Sequence, residues 1–222
     1  MGALGALHSK LVHSRRVKVL TGHLATLVPL NARVLDIGCG DGQLARLLLD
    51  VRPDLKLQGI DVLVRAQTQI PVTAFDGTTL PFDDQSFDAV MFMDVLHHTT
   101  DPMNLLREAR RVTSQNIIIK DHTVAGVIGR PLLHFMDWVG NARHGVASPG
   151  NYWTLPQWNQ AFAELGLSPT VWKRELSLYP WWANWLFGHQ LHFMTALSKT
   201  SSPLVSPIEN GTETNRGLLL HV

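Results

Sequence analysis

The sequence predicts an α/β protein with a doubly wound, mostly parallel sheet of seven strands and an antiparallel C-terminal edge. Three observations predict this fold. Short apolar runs alternate with amphipathic runs from residue 33 to residue 122, as in parallel strands joined by helices. The run FDAVMFM is almost continuously apolar, which suits a strand covered on both faces. A glycine-rich stretch, CGDG, follows the first apolar run, where such a fold turns from strand to helix.

The strands of the parallel part follow from short apolar runs in chain order. They are RVLDIG (33–38), KLQGIDV (56–62), VTAFDG (72–77), FDAVMFM (87–93) and NIIIKDH (116–122). Apolar residues at helical spacing predict a helix over QLARLLLDV, and another helix begins near Pro102, which suits a first helical turn.

The C-terminal third predicts one more helix and two more strands. In TLPQWNQAFAELG, Thr154 and Gln157 have capping-box spacing and Gly166 is a typical stop. The runs TVWKREL and HQLHFMTAL predict the antiparallel edge. Residues 1–198 are therefore expected to form a single domain, and residues 199–222, rich in Ser, Thr, Pro and Asn, a flexible tail.

Composition excludes several classes of protein. The 222 residues are 45% hydrophobic, enough for one well-filled domain. Lys and Arg number 19 against 18 Asp and Glu, so the chain lacks the basic excess of nucleic-acid-binding proteins and a small-molecule partner is expected. The single cysteine excludes an internal disulfide and a multi-cysteine zinc site, and favours a reducing, cytoplasmic setting. No uncharged stretch reaches membrane-spanning length, so we expect a soluble protein without a membrane partner.

The stretch VLDIGCGDG joins the first strand to the first helix through Gly38, Gly40 and Gly42. Glycines let a ligand approach the backbone closely, and the following helix offers free N–H groups to it. A dinucleotide fingerprint starting at Gly38 would need a third glycine where the chain has Gln43. Asp36, just before the loop, would repel a pyrophosphate and suits a ligand with positive charge or hydrogen-bond donors.

VLDIGCGDG resembles motif I of the class I S-adenosylmethionine-dependent methyltransferases. GID (59–61), FDGTTLPFDDQSFDAV (75–90) and VLHH (95–98) are similar to the small-molecule branch called methyltransferase type 11, and the match runs in order over about residues 30–122. The resemblance implies a Rossmann-like methyltransferase fold, with residues 30–122 as the core that binds S-adenosylmethionine. Residues 123–190 would then supply the acceptor pocket or its lid.

The resemblance also assigns residues to the cofactor. Asp36 would orient its ammonium, Asp61 would accept from both ribose hydroxyls, and Asp76 would accept from the adenine amine. The full set of expected cofactor-binding residues is Asp36, Gly38, Cys39, Gly40, Asp61, Val62, Asp76, Gly77 and Asp94. An isolated aspartate at Asp61 or Asp76 would more often be a helix cap or a turn residue. Cys39 is expected to be a small buried residue rather than a nucleophile.

Two titratable clusters follow the fourth and fifth strands, and parallel strands would place both in one cleft. In the O-methyltransferases that this stretch resembles, paired histidines and an acidic residue flank the acceptor. His98 or His97 is therefore the expected base for a hydroxyl acceptor, with Asp121 as its orienting or acceptor-binding partner. Either histidine could instead only pack or cap the next helix.

Other functions stay open at this point. Asp94, Asp121 and His122 could hold Mg²⁺ as in catechol-type O-methyltransferases, but a histidine suits Mg²⁺ poorly, so no metal is expected. Trp181, Trp182 and Trp185 could wall the acceptor pocket, pack a C-terminal lobe, or touch a membrane that holds a lipid-linked acceptor.

The preferred acceptor is a hydroxyl of a sugar, a phenol or a natural product. The alternatives are a non-catalytic S-adenosylmethionine-binding partner protein and an enzyme that uses the cofactor pocket for other chemistry. His134, Arg143 and His144 are weaker candidates for acceptor contacts. The sequence leaves open whether the chain is a monomer or a homodimer.

Overall fold

The computed structural model describes residues 3–124, 131, 133, 150–178 and 191–200, and of residues 3–14 it describes the backbone alone. The helices are α1 (Ala3–Leu27), α2 (Gln43–Val51), α3 (Pro102–Val112) and α4 (Leu155–Glu164). The strands are β1 (Arg33–Ile37), β2 (Lys56–Asp61), β3 (Val72–Ala74), β4 (Phe87–Met93), β5 (Thr113–His122), β6 (Leu167–Lys173) and β7 (His192–Lys199). A single 3₁₀ turn covers Leu96–His98.

The strands form one sheet of seven in the order β3-β2-β1-β4-β5-β7-β6. The first five strands pair in parallel, and β7 pairs antiparallel with both β5 and β6. This confirms the predicted α/β class, the parallel sheet and the antiparallel C-terminal edge. The strand limits differ slightly, since β5 begins at Thr113 rather than at Asn116 and β3 ends at Ala74.

The helix starts follow the predicted capping chemistry. The carboxylate of Asp101 accepts from the backbone N–H of Asn104 at the start of α3. Thr154 and Gln157 form the predicted capping box at the start of α4. Each side chain satisfies an N–H group that has no partner inside its helix.

Helix α1 is the element that the sequence patterns did not predict. Val17, Leu20 and Leu24 of this helix are buried against the rest of the fold, but basic and apolar residues alternate around the helix without a clean apolar face. Among the described residues, no helix combines the length and apolarity needed to cross a membrane.

The strand order reverses between β1 and β4, because the chain proceeds from β1 towards β3 on one side and from β4 towards β5 on the other. Ligands of such sheets bind at this point, outside the carboxyl ends of the strands. Ile37 pairs with both Ile60 and Phe92, so β1, β2 and β4 end at the same level. The glycine loop and the segment 94–98 therefore start side by side.

Candidate active site at the carboxyl ends of the strands

The glycine loop is held in place by backbone hydrogen bonds to β2. The N–H of Gly38 donates to the carbonyl of Ile60 at 2.8 Å, and the N–H of Gly40 donates to the carboxylate of Asp61 at 2.8 Å. Gly38 has φ 71° and Gly40 has φ 61°, a left-handed conformation that favours glycine. A Cβ on Gly38 would lie 2.6 Å from a methyl carbon of Val95, so the loop touches the segment that carries the two histidines.

Asp36 lies beneath this loop and is 2% exposed. Burial raises the pKa of its carboxyl to about 8, and the nearby charge of Asp61 adds to the effect. The carboxyl of Asp36 is therefore largely protonated at neutral pH in the protein without a ligand. A cationic group placed beside it would favour the carboxylate form.

Asp61, at the end of β2, ties the loop to the next turn. Its second carboxylate oxygen accepts from the N–H of Leu63 at 2.9 Å. Each oxygen of a carboxylate has two acceptor positions, so the two backbone bonds leave acceptor capacity for hydroxyl groups. In place of the helix cap considered from the sequence, Asp61 caps a turn.

The expected adenine side of the site is formed by two turns. Val62 is 63% exposed, and a Cβ on Gly77 (φ 83°) would lie 3.2 Å from it, so the two residues are neighbours. Asp76 is exposed and accepts from the N–H groups of Thr78 and Thr79 at 2.7 and 2.8 Å. Asp76 is thus the turn residue considered from the sequence, and the cofactor contact expected of it stays a prediction.

Cys39 is half-buried, not fully buried as the sequence suggested, because it lies on the open glycine loop. Its sulfur packs over the backbone of Gly59, since a Cβ there would lie 2.3 Å away. Burial raises the pKa of its thiol, and the charges of Asp36 and Asp61 raise it further. The thiol is therefore a poor nucleophile, as expected.

His97 and Asp121 form a buried dyad. Nδ1 of His97 lies 2.6 Å from Oδ1 of Asp121, and the two side chains are 2% and 0% exposed. Asp121 also accepts from the backbone N–H groups of Leu96 and His122 at 3.0 and 2.7 Å. Although burial favours the neutral form of Asp121, the neighbouring side chains of His97 and His122 hold the pKa of its carboxyl well below the usual range. Asp121 is therefore an acceptor, and the proton of the His97 ring lies on Nδ1.

His98 occupies a different position from His97. Its ring packs against the ring of His97 with centroids 3.9 Å apart, and it is only partly buried. The ring of Tyr152 also stacks on the ring of His97, with the ring centroids 5.5 Å apart. Asn151 donates its N–H to the carbonyl of His97 at 3.1 Å. The chain segment 150–153 thus packs against His97 through both its backbone and its ring.

Asp94 lies beside the dyad with partners that the sequence patterns did not identify. It follows β4 in a left-handed conformation with φ 61°, which non-glycine residues rarely adopt. Its carboxylate accepts from Lys120, which is fully buried in β5, and from Arg16 of α1. Although burial raises the pKa of Asp94, the charges of Lys120 and Arg16 hold it well below its usual value. Asp94 is therefore charged.

The alternative magnesium trio considered from the sequence, Asp94, Asp121 and His122, is not one of the candidate metal-binding groups among the described residues. Among the described residues, donor atoms within 4.8 Å of one another form two other sets, and each set contains one carboxylate and two imidazoles. That chemistry does not fit Mg²⁺, which prefers oxygen ligands. The carboxylates of Asp94 and Asp121 are moreover already engaged by Lys120 and His97.

Other predictions fall outside the described residues, namely His134, Arg143, His144 and the three tryptophans at 181, 182 and 185. The described structure instead adds four residues to the site that the patterns missed. They are Arg16, Lys120, Tyr152 and His192. A signal existed for Lys120, since a lysine inside the apolar run NIIIKDH of a strand covered on both faces must have a buried partner.

Comparison with known proteins agrees with this geometry. Residues 35–119 match the family model described as a methyltransferase domain. This segment is thus similar to the methyltransferase domains of the type 11 branch. The matched segment runs from β1 to β5 and contains the glycine loop, Asp61, His97 and His98.

Two curated relatives show how far the methyltransferase domain is shared. One is the 27-O-demethylrifamycin SV methyltransferase of Amycolatopsis mediterranei, 33% identical over 108 residues, which are 42% of this chain and 39% of the relative. The other is the demethylmenaquinone methyltransferase of Roseiflexus castenholzii, 33% identical over 150 residues, which are 60% of this chain and 63% of the relative. The match thus spans less than two thirds of the length of either relative.

The fold is shared with solved structures as well. An S-adenosylmethionine-dependent methyltransferase from Mesorhizobium loti aligns over 80% of this chain and 96% of its own, with a TM-score of 0.56 and 16% identity. At that identity the likeness shows the fold alone, which is the Rossmann-like methyltransferase fold.

Proposed function

We propose that this protein is an S-adenosylmethionine-dependent methyltransferase that methylates a hydroxyl oxygen of a small molecule. The hydroxyl belongs to a sugar, a phenol or a natural product. His97 acts as the general base, and Asp121 orients it. The observation that carries the proposal is the buried His97–Asp121 dyad, which stands beside the glycine loop at the strand ends.

The residues around the loop fit the cofactor. Gly40 leaves open space where a Cβ would stand, so a ligand can approach its backbone closely. Buried Asp36 suits the cofactor's ammonium, and Asp61 has acceptor capacity for the ribose hydroxyls. Exposed Val62 offers an apolar surface beside Gly77 for the adenine ring. S-adenosylmethionine supplies the methyl group on a positively charged sulfur that is already a good leaving group.

The protein's own contribution is alignment and proton removal. Because the Nδ1 proton of His97 is held by Asp121, the Nε2 lone pair is the basic one. Nε2 would accept the proton of an acceptor hydroxyl, and the site would have to hold that oxygen in line with the methyl group, whose bond to sulfur breaks as the bond to oxygen forms. The charge of Asp121 stabilises the imidazolium that results.

One of the two relatives supports an oxygen acceptor. The name of the Amycolatopsis mediterranei relative assigns its methyl group to an oxygen. The name of the Roseiflexus castenholzii relative assigns demethylmenaquinone as the substrate. An acceptor of that second kind favours the alternative function, methylation of a lipid-linked molecule at a membrane surface.

A screen of sugar, phenol and quinol-lipid acceptors with labelled S-adenosylmethionine tests the proposal. We expect label on one class, with mass spectrometry placing it on oxygen. His97→Gln should lower turnover roughly 10²-fold or more and leave cofactor affinity within about threefold. His23→Gln is the matched control, since His23 lies on α1 and its ring faces the carbonyl of Leu176. Wild-type turnover in His97→Gln would show that His97 is not the general base. Cofactor binding without methyl transfer to any acceptor class would favour a non-catalytic binding protein.

A further inference from the structure

Lys120 is the most unusual residue of the site. It is fully buried in β5, where it pairs in register with Met93 of β4 and Met194 of β7. Its ammonium donates to Asp94 and lies 3.3 Å from Nδ1 of His192. Removing an ammonium from water is costly, so a buried lysine persists only where neighbouring groups compensate for it.

The charged and titratable groups around Lys120 come from every element packed against it. Counting Lys120 itself, two cations face two carboxylates, so the cluster is neutral when its imidazoles are uncharged. The neighbouring groups are Arg16 of α1, Asp94 after β4, His97 of the 3₁₀ turn, Asp121 and His122 of β5, and His192 of β7. Burial lowers the pKa of Lys120 to about 8 and the charge of Asp94 opposes that change, so Lys120 is a cation at neutral pH.

His122 is one of two buried imidazoles whose protonation this cation opposes. The Nδ1 atom of His122 lies 3.6 Å from a carboxylate oxygen of Asp121 and 3.7 Å from a carboxylate oxygen of Asp94. This nitrogen is buried and has no hydrogen-bond partner. An imidazole between two carboxylates would ordinarily take up a proton. Burial lowers the pKa of His122 to about 4 instead, and the charge of Lys120 is the next largest cause. The pKa of His192 is lowered by the same two causes.

We propose that Lys120 is a positioning residue that holds His122 and His192 uncharged and thereby leaves His97 as the imidazole that receives the acceptor's proton. This inference rests on the proposed function, because it explains which of several clustered histidines acts as the base. A protonated His122 would turn its N–H towards the same oxygen of Asp121 that His97 uses. His97 would then lose its orienting partner.

Lys120→Met tests the inference, because methionine keeps the length of the side chain and removes the charge. With ¹⁵N-labelled histidine, NMR reports the protonation of each ring, and the His122→Gln and His192→Gln variants assign the signals. In the wild type we expect no titration of His122 between pH 5.5 and 8, in line with its pKa of about 4. Lys120→Met should raise the titration midpoint of His122 by at least about one pH unit. Lys56→Met, at the exposed amino end of β2, is the matched control.

Turnover gives a second readout. If a protonated His122 inactivates the dyad, the acid limb of the pH–rate profile depends on one proton in the wild type and on two in Lys120→Met. A merely structural role for Lys120 would lower turnover at every pH without changing that slope. An unchanged slope together with unchanged histidine titration would overturn the proposal.

The wild-type protein provides a further test that does not depend on the folding of Lys120→Met. Because the ammonium of Lys120 donates to Nδ1 of His192, the ring of His192 should carry its proton on Nε2 from pH 5.5 to 8. A protonated Nδ1 in the ¹⁵N spectrum would overturn the proposal. These spectra need no acceptor, so an absence of methyl transfer would refute the proposed function and leave the assignment of Lys120 to be decided by the histidine signals.

Discussion

Gly38→Ala should damage the site more than Gly40→Ala, although both replace a loop glycine that has positive φ. Each substitution forces alanine into the left-handed region, at a cost of about 1–2 kcal/mol. At Gly40 the added methyl enters open space. At Gly38 it would lie 2.6 and 2.8 Å from the two methyl carbons of Val95. Val95 is β-branched and has little freedom to turn, so this overlap adds roughly 1–3 kcal/mol.

Urea unfolding measures the loss of stability, and steady-state turnover measures the displacement of the segment that carries His97. We expect Gly38→Ala to lower the free energy of unfolding by about 1–3 kcal/mol more than Gly40→Ala does. It should also lower the turnover of bound substrates, because displacing Val95 moves the adjoining His97. Adding Val95→Ala should restore part of both losses. Equal stability and equal turnover of the two glycine variants would refute the contact between the loop and the dyad segment.

Three more outcomes follow from the buried charges. Because burial raises the pKa of Asp36 to about 8, its contribution to stability is complete below its unfolded pKa of about 4 and is lost as the pH rises through about 8. Cofactor binding at pH 7 should therefore release a proton from Asp36, which calorimetry in buffers of different ionisation enthalpy detects, and Asp36→Asn should release none. Asp121→Asn should lower turnover roughly 10²-fold or more and leave cofactor affinity within about threefold of the wild type, because the amide does not stabilise a charged His97. Turnover equal to that of the wild type would contradict the catalytic role of the dyad. Asp94→Asn should lower the free energy of unfolding by roughly 3–5 kcal/mol in urea melts, since it leaves Lys120 buried without its carboxylate, and adding Lys120→Met should recover much of that loss.

The parallel part of the fold was predictable because local and global preferences agree there. FDAVMFM forms a strand with its predicted limits, since an apolar run of seven residues has no alternative to burial on both faces. The capping box at Thr154 fixed the start of α4 in the same way. Helix α1 was not predicted, because its burial depends on contacts with α2 and with the C-terminal strands. Its sequence has no apolar stripe that would indicate those contacts.

The sequence predicted where the site lies, but only some of the side-chain pairs within it. Acidic residues at strand ends indicated a cleft, and the structure brings His97 onto Asp121 there. The choice between His97 and His98 depends on the side-chain directions within a 3₁₀ turn, which sequence spacing does not determine. The pairing of Lys120 with Asp94 and His192 joins three separate elements, so it appears only when the sheet is assembled.

Binding of S-adenosylhomocysteine to the wild-type chain tests the central claim most directly, because it requires no knowledge of the acceptor. We expect one molecule to bind per chain, and Asp61→Asn to weaken binding at least about tenfold through the lost charged acceptor. The His97→Gln variant should bind as the wild type does. An absence of saturable binding, or displacement of the ligand by a nicotinamide dinucleotide, would contradict the account.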